Sequence, residues 1–370
     1  MEHLMSGTKE KRSEGGMRDR FLGCLLGGAV GDALGGAVEF MSRAQILDRF
    51  GPMGLADFAT AYGGKGKITD DTQMTLFTAE GLLRGRMRFV TKGITSYEYS
   101  VAAAYQRWLA TQGVTNRHCP GPFDGFLYEQ SGLHSQRAPG MTCLSALKTY
   151  RGDPGIAVNN SKGCGGVMRV GPVGLLWSVL GNREDITSVF EMGKMCAELT
   201  HGHPSGYLTA GSLAVIIFAV LDGATLEQAI AQATELLVTY PSHGETLKAL
   251  DAAVRLSQSN CHPVEAISTL GEGWVAEEAL AVALYCTLVS ESFEEAIVLA
   301  VNHDGDSDST GAIAGNILGA IHGATVIPER WLESLELRSV IETVASDLWN
   351  CRTWTSRSDR EDAWARYPGY

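Results

Sequence analysis

The sequence predicts an all-α protein, and three observations carry that expectation. Apolar residues recur at three- and four-residue spacings in Ala/Leu-rich stretches such as "FTAEGLLRGRM", "AEEALAVALYCTLV" and "EEAIVLAVNH". Alternating strand-like runs are scarce, and no βαβ unit stands out. Two stretches carry glycine at every fourth position, one face of a helix: "FLGCLLGGAVGDALGG" at 23, 27, 31 and 35, and "TGAIAGNILGAIHG" at 311, 315, 319 and 323.

Taken in order, residues 1–17, "MEHLMSGTKEKRSEGGM", are polar, charged and glycine-containing. They read as a disordered or partner-ordered arm. A single domain is expected over residues 18–370. The first glycine-striped helix follows, and it carries Asp32 with Glu39 just beyond. A glycine inside a helix costs roughly 1 kcal/mol against alanine, so two such stripes imply close backbone approach to a neighbour. "ITDDTQM" (Ile68 to Met74) then opens an amphipathic run with two adjacent carboxylates. Glycine- and proline-rich loops fall near 51–67, 112–141, 151–172 and 241–245. One of them holds "NSKGCGGVMRVGP" (Asn160 to Pro172), a glycine-rich loop suited to presenting backbone N–H groups to a phosphate. It lacks the Gly-Lys-Ser/Thr of a P-loop. "THGHPSGY" places His201 beside His203 without a Cys or His partner at zinc spacing. The second glycine stripe is preceded by "NHDGDSDST" (Asn302 to Thr310), in which Asp304, Asp306 and Asp308 alternate.

Composition narrows the function. The 370 residues are 45% hydrophobic, enough for a large core, and the net charge is −12. Such an acidic chain is a poor non-specific partner for nucleic acid or a membrane surface. Eight cysteines lie scattered with no C-x-x-C pair, so free thiols in a reducing compartment are expected. The apolar run "LAVIIFAVL" (Leu213 to Leu221) is shorter than the ~20 residues that span a bilayer. These features point to a cytoplasmic protein.

The two acid-rich segments raise the chemical question. Each places carboxylates and hydroxyls at the start of an apolar-periodic helix. Helix capping explains one acid per helix, because Asp, Ser and Thr accept bonds from first-turn N–H groups. It explains four or five poorly. If the two starts meet in space, hard divalent cations bound by oxygen ligands would offset the repulsion. The pattern favours metal while leaving capping open.

The ordered set "GCLLGGAVGDALGGAVEF", "TDDTQM", "KGCGGVMRVGP" and "GDSDSTGAIAGNILGA" resembles the ADP-ribosylglycohydrolase family, over nearly the whole chain. The resemblance implies a compact orthogonal helical bundle whose central cleft holds two Mg²⁺ or Mn²⁺ ions. It implies hydrolysis of the bond between ADP-ribose and a protein side chain. By position it makes Thr69, Asp70, Asp71, Asp306, Asp308 and Ser309 the metal ligands. It places Asp71 and Glu39 in catalysis, with Asp71 relaying a proton. Gly140, Ser161, Gly163, Cys164 and Gly165 would border the pyrophosphate and proximal ribose, and His201 would approach the adenine. Three positions depart from the family: Cys164 replaces a frequent Asn, Met141 another Asn, and Asp304 a common Gly. Ser309 and "THGHPSGY" look closest to the arginine-specific branch.

The expected activity is therefore removal of ADP-ribose from modified arginine, with an ADP-ribosylated protein as partner. Three rival expectations stand beside it. A non-catalytic binder or immunity protein would block a cognate ADP-ribosyltransferase toxin through the arm. A crystallin-like scaffold would need no clustered acids. A metal phosphatase would turn over phosphate monoesters instead.

Overall fold

The computed structural model describes residues 14–121, 123–181, 185–355 and 357–369. Seventeen α-helices are present among them. They are α1 (Glu14–Gly35), α2 (Arg43–Phe50), α3 (Asp70–Lys92), α4 (Tyr97–Thr111), α5 (Met141–Thr149), α6 (Gly171–Leu180), α7 (Ile186–Glu198), α8 (Pro204–Asp222), α9 (Leu226–Leu237), α10 (Gly244–Ser257), α11 (Pro263–Leu270), α12 (Ala276–Val289), α13 (Phe293–Val301), α14 (Ser307–His322), α15 (Glu329–Ser334), α16 (Arg338–Asn350) and α17 (Arg357–Arg366). No sheet occurs among the described residues; the pairings outside helices are two isolated bridges, Ala61–Gly64 and Gly163–Val275. The all-α expectation holds.

The two glycine stripes pack against each other. A methyl group built on Gly23, Gly27, Gly31 or Gly35 would fall 2.6 Å or less from backbone atoms of α14 or of the Gly323 turn that ends it. The same holds for Gly311, Gly315 and Gly319 against α1. Gly23 faces Gly319 while Gly35 faces Ser307, so the helices run antiparallel. This is the compensating gain that interior glycines require: the backbones touch, and dispersion contacts replace side chains. Asn316 fastens the seam from the side, its amide donating to the Cys24 carbonyl at 2.7 Å. Arg20 bonds the Ile321 and Val220 carbonyls at the far end.

The antiparallel seam sets the site. It brings the C-terminal end of α1, with Asp32, beside the N-terminal end of α14, with Asp306 and Asp308. α3 starts at the same place and packs on α1 and α14. α8 is long and apolar enough to cross a bilayer, more so than the short run within it suggests. Here it is a core helix, 89% buried and packed against α6, α7, α9 and α12. All eight cysteines are free.

Of the arm expected over residues 1–17, residues 1–13 lie outside the described residues. Residues 14–17 form the first turn of α1, and Met17 packs on the core. The helix therefore begins four residues before the expected boundary.

Candidate active site

Asp32 organises the site from below. It is wholly buried and accepts hydrogen bonds from the backbone N–H groups of Thr69 (3.0 Å) and Thr72 (3.1 Å) at the start of α3. It also accepts from the Thr69 hydroxyl at 2.6 Å and from the Thr72 hydroxyl. A carboxylate from one helix thus caps the first turn of another, where orphan donors and the dipole favour negative charge. Burial still pushes its carboxyl up, to about 6. Sequence reasoning noted Asp32 but assigned it no role; its place at the end of the glycine stripe was the available signal.

Above Asp32 the two helix starts meet. The Thr69 hydroxyl lies 3.2 Å from Asp308 Oδ2, joining α3 to α14. Capping operates at both: Thr69 accepts from Asp71 N at 3.4 Å, and Asp306 from Ser309 N at 3.3 Å. Capping occupies one oxygen on each side and leaves the remaining acids to another purpose. Gly305 makes the turn into Asp306. It adopts φ +119, and a side chain there would strike the Glu272 carbonyl, which accepts Asp306 N at 2.8 Å.

These acids line one cleft of about 220 Å³, together with Glu39, Gly140, Gly163, Cys164, Gly165, His201 and Ser309. Eleven of the expected site residues therefore share a single cavity. Thr69 lies beneath it. Ser161 stands one step behind its wall, its Oγ 3.1 Å from Thr142 Oγ1. Ala138, Met141, Thr142, Cys143, Met168 and Trp274 also line the cleft and were not anticipated as contacts. Trp274 was hidden because it comes from a different loop, held to the glycine-rich turn by a 3.2 Å bond from Cys164 N to its carbonyl.

The electrostatics are those of acid without base. Asp70, Asp71, Asp306 and Asp308 are 3–4% exposed. No Lys or Arg pairs with them among the described residues. Burial, and then the neighbouring carboxylates, hold Asp70, Asp71 and Asp308 well above the usual carboxylate range. Glu39 is pushed up to about 10 by burial and by the charges of Asp308, Asp70 and Asp32. Elsewhere a buried acid is matched: Glu80 lies 3.2 Å from Arg84 and 2.9 Å from Arg107.

Two oxygens of the cluster, Asp71 Oδ1 and Glu39 Oε2, are buried with no hydrogen-bond partner. An unpaired buried carboxylate oxygen is costly, and a cation is the partner that would repay it. Among the described residues no group of three or more His, Cys, Asp or Glu side chains is already arranged so that it could hold a metal ion. The fit to a hard cation therefore rests on donor type, with five carboxylates and two hydroxyls at one place, and on the two orphaned oxygens.

The rest of the cleft is slender and nearly neutral. A side chain at Gly165 would meet Cys143 Sγ at 2.9 Å and His201 Cε1 at 3.2 Å. One at Gly163 would sit 3.4 Å from His201 Nε2. Burial, and then the charge of Arg169, depress His201 to about 3, so the ring is uncharged. Thr200 orients it at 2.8 Å through Nδ1 and is itself held by Arg169 at 2.7 Å. The Cys164 thiol, raised well above its usual range by burial and Asp306, stays protonated and donates to Asp306 Oδ2 at 2.8 Å. Gly140 N donates to Asp70 Oδ2 at 3.1 Å.

The chain is similar to known proteins along most of its length. The ADP-ribosylglycohydrolase family model matches residues 13–357. The ADP-ribosyl-[dinitrogen reductase] glycohydrolase of Rhodospirillum rubrum is 26% identical, over 87% of this chain and 92% of its own. The ADP-ribosylarginine hydrolase Tri1 of Pseudomonas putida is 26% identical, over 90% of this chain and 78% of its own. A solved structure described as an ADP-ribosylglycohydrolase-related protein complex superposes with a TM-score of 0.59 at 25% identity, covering 91% of this chain and 99% of that one.

Proposed function

The chain belongs to the ADP-ribosylglycohydrolase family, hydrolases of ADP-ribose linkages, and from that premise we propose that it removes ADP-ribose from modified arginine side chains with the help of two Mg²⁺ or Mn²⁺ ions. The observation that carries the reading is the meeting of the α3 and α14 starts, joined by Thr69 and Asp308 at 3.2 Å, under one cleft.

Thr69, Asp70 and Asp71 from one helix and Asp306, Asp308 and Ser309 from the other would hold the ions. Ions bound there would polarise the sugar hydroxyls and lower the pKa of a water. The chain's own groups would do the rest. Guanidine is a strong base and leaves the ribose C1 only when protonated. Glu39, whose Oε2 has no hydrogen-bond partner in the protein, would pass a proton to it. Asp71, through the carboxylate oxygen that an ion would leave free, would accept the proton of an attacking water. The Gly163–Gly165 wall and the neutral His201 would accept the diphosphate and the adenine end, because bulk at either glycine would close the passage. The low dielectric of the cleft strengthens each of these interactions.

Arginine is favoured over serine by Ser309, by "THGHPSGY" and by similarity to two relatives, one of them named an arginine hydrolase. The test is release of ADP-ribose from ADP-ribosylated arginine and serine peptides with Mg²⁺. Chelator-sensitive release from the arginine peptide is expected. Equal or faster release from serine would remove the arginine assignment, and release of phosphate from monoesters alone would remove the class.

A further inference from the structure

A second cavity, about 760 Å³, opens beside the acid cleft and is larger than it. It is a groove between α11 and α13. Its floor is apolar, with Val264 and Ile267 from α11 and Val298 and Leu299 from α13. Met53, 78% exposed, forms one lip. Its rim is acidic: Glu272, Glu294, Glu295 and Asp304 face the single cationic side chain Arg43. Glu294 is paired outward to Arg330 at 2.6 Å, leaving three carboxylates against one cation.

Two segments run through both cavities. Glu39 lines the cleft, and Arg43, four residues later at the start of α2, lines the groove. Trp274 lines the cleft, and Glu272 lines the groove, with Trp274 Nε1 donating to Glu272 Oε2 at 3.1 Å. The ridge between the cavities is crowned by Phe40 and Trp274, stacked with centroids 6.1 Å apart and exposed by 72% and 39%. Neither aromatic is needed to close the core. Exposed aromatics of this kind suit a passing cation or a covering chain.

We propose that the groove is an exosite for the substrate polypeptide: it takes an amphipathic, basic segment of the protein whose modified side chain lies in the cleft. The proposal rests on the hydrolase reading above. Its apolar floor between two helices fits one apolar face of a helix or turn. Its acidic rim complements Lys and Arg beside that face and repels an acidic one. A chain crossing the Phe40–Trp274 ridge would cover both rings and join the two cavities.

The experiment uses the full chain and two variants, Met53→Lys and Ser268→Lys. Both residues are exposed, line the groove and lie outside the cleft. Three substrates are compared: free ADP-ribosyl-arginine, an ADP-ribosylated arginine peptide with Leu and Lys at helical spacing, and one with Gly, Ser and Glu flanks. The wild type should favour the basic amphipathic peptide by roughly tenfold in kcat/KM, mainly through KM. That advantage should shrink with added salt and vanish in both variants, while turnover of ADP-ribosyl-arginine stays unchanged. Equal rates on the two peptides, or equal losses on all three substrates, would overturn it. Binding of the unmodified basic peptide is measured separately by fluorescence anisotropy, with binding to the wild type and loss in both variants expected. Absence of binding, or self-association of the chain relieved by Met53→Lys, overturns the exosite whether or not the enzyme turns over. Cleavage of none of the three substrates instead sinks the arginine reading.

Discussion

The seam between α1 and α14 and the cleft at its end are built from the same two helices on opposite physical terms. Along the seam, backbone meets backbone: a Cβ at Gly311 would lie 2.6 Å from the Gly31 carbonyl oxygen. At the end, within a turn of Gly35, Asp306 and Asp308 are buried against Asp70 and Asp71 with raised pKa values and, among the described residues, no cationic side chain paired to them. The seam is where sequence serves stability. The cleft spends stability, because like charges in low dielectric repel and lose hydration. Their adjacency is informative: a rigid, close-packed seam holds acids together that would otherwise separate.

Breaking the seam should have the largest effect. Gly315→Val puts a branched side chain against the Gly27 backbone, where no flexible group can yield. A loss of at least ~3 kcal/mol in chemical denaturation, with loss of soluble protein, is expected. A fully folded Gly315→Val enzyme would show that the helices can slide apart, and the seam argument would fail.

Breaking the cleft should separate activity from stability. Asp308→Ala should lower turnover by more than ~100-fold. In chelator, its Tm should equal or exceed that of the wild type, since a repelling charge is gone. Wild-type activity in the chelated variant would remove metal from the account.

The pH dependence sharpens the same contrast. Carboxyls normally titrate near 4, whereas Asp32 is raised to about 6 and Glu39 to about 10. Above pH 4 and up to these values the two carboxyls keep protons in the folded chain that they lose in the unfolded one, so their contribution to stability falls as pH rises, while the depressed His201 contributes the opposite sign below about 6.5. Cation-free protein should therefore have a higher Tm at pH 5 than at pH 8, and Mg²⁺ should restore most of the difference. A flat or rising profile in chelator would mean that the acids are not packed as described.

The smallest effect is a control on glycine itself. Gly15 lies in α1 but off the seam, with nothing within 4 Å of a built Cβ. Gly15→Ala should raise stability by up to ~1 kcal/mol, the sign opposite to the seam glycines.

Much of this was legible in the linear order of residues. Helical class followed from apolar spacing, and the metal-type acids from "TDDT" and "GDSDS". Both signals are local: each depends on residues within about one helical turn. The every-fourth glycines announced close contact without naming the partner. The functions of Asp32, Trp274 and Phe40 were not legible, because each acts on a segment distant in sequence. Asp32 caps a helix whose N-cap residue, Thr69, lies 37 positions later, and Trp274 stacks on Phe40 across more than two hundred residues.

By itself, the sequence determined which stretches are helices, where their acids and glycines fall, and which family's motifs they compose, since period and composition are properties of neighbours along the chain. Tertiary structure alone decided that the two stripes are each other's partners, that they run antiparallel, and that α3 starts where they end. That choice turns four separate acids into one buried, unneutralised cluster. Its cause is that burial and charge repulsion depend on distance in space, which only the packed backbone defines.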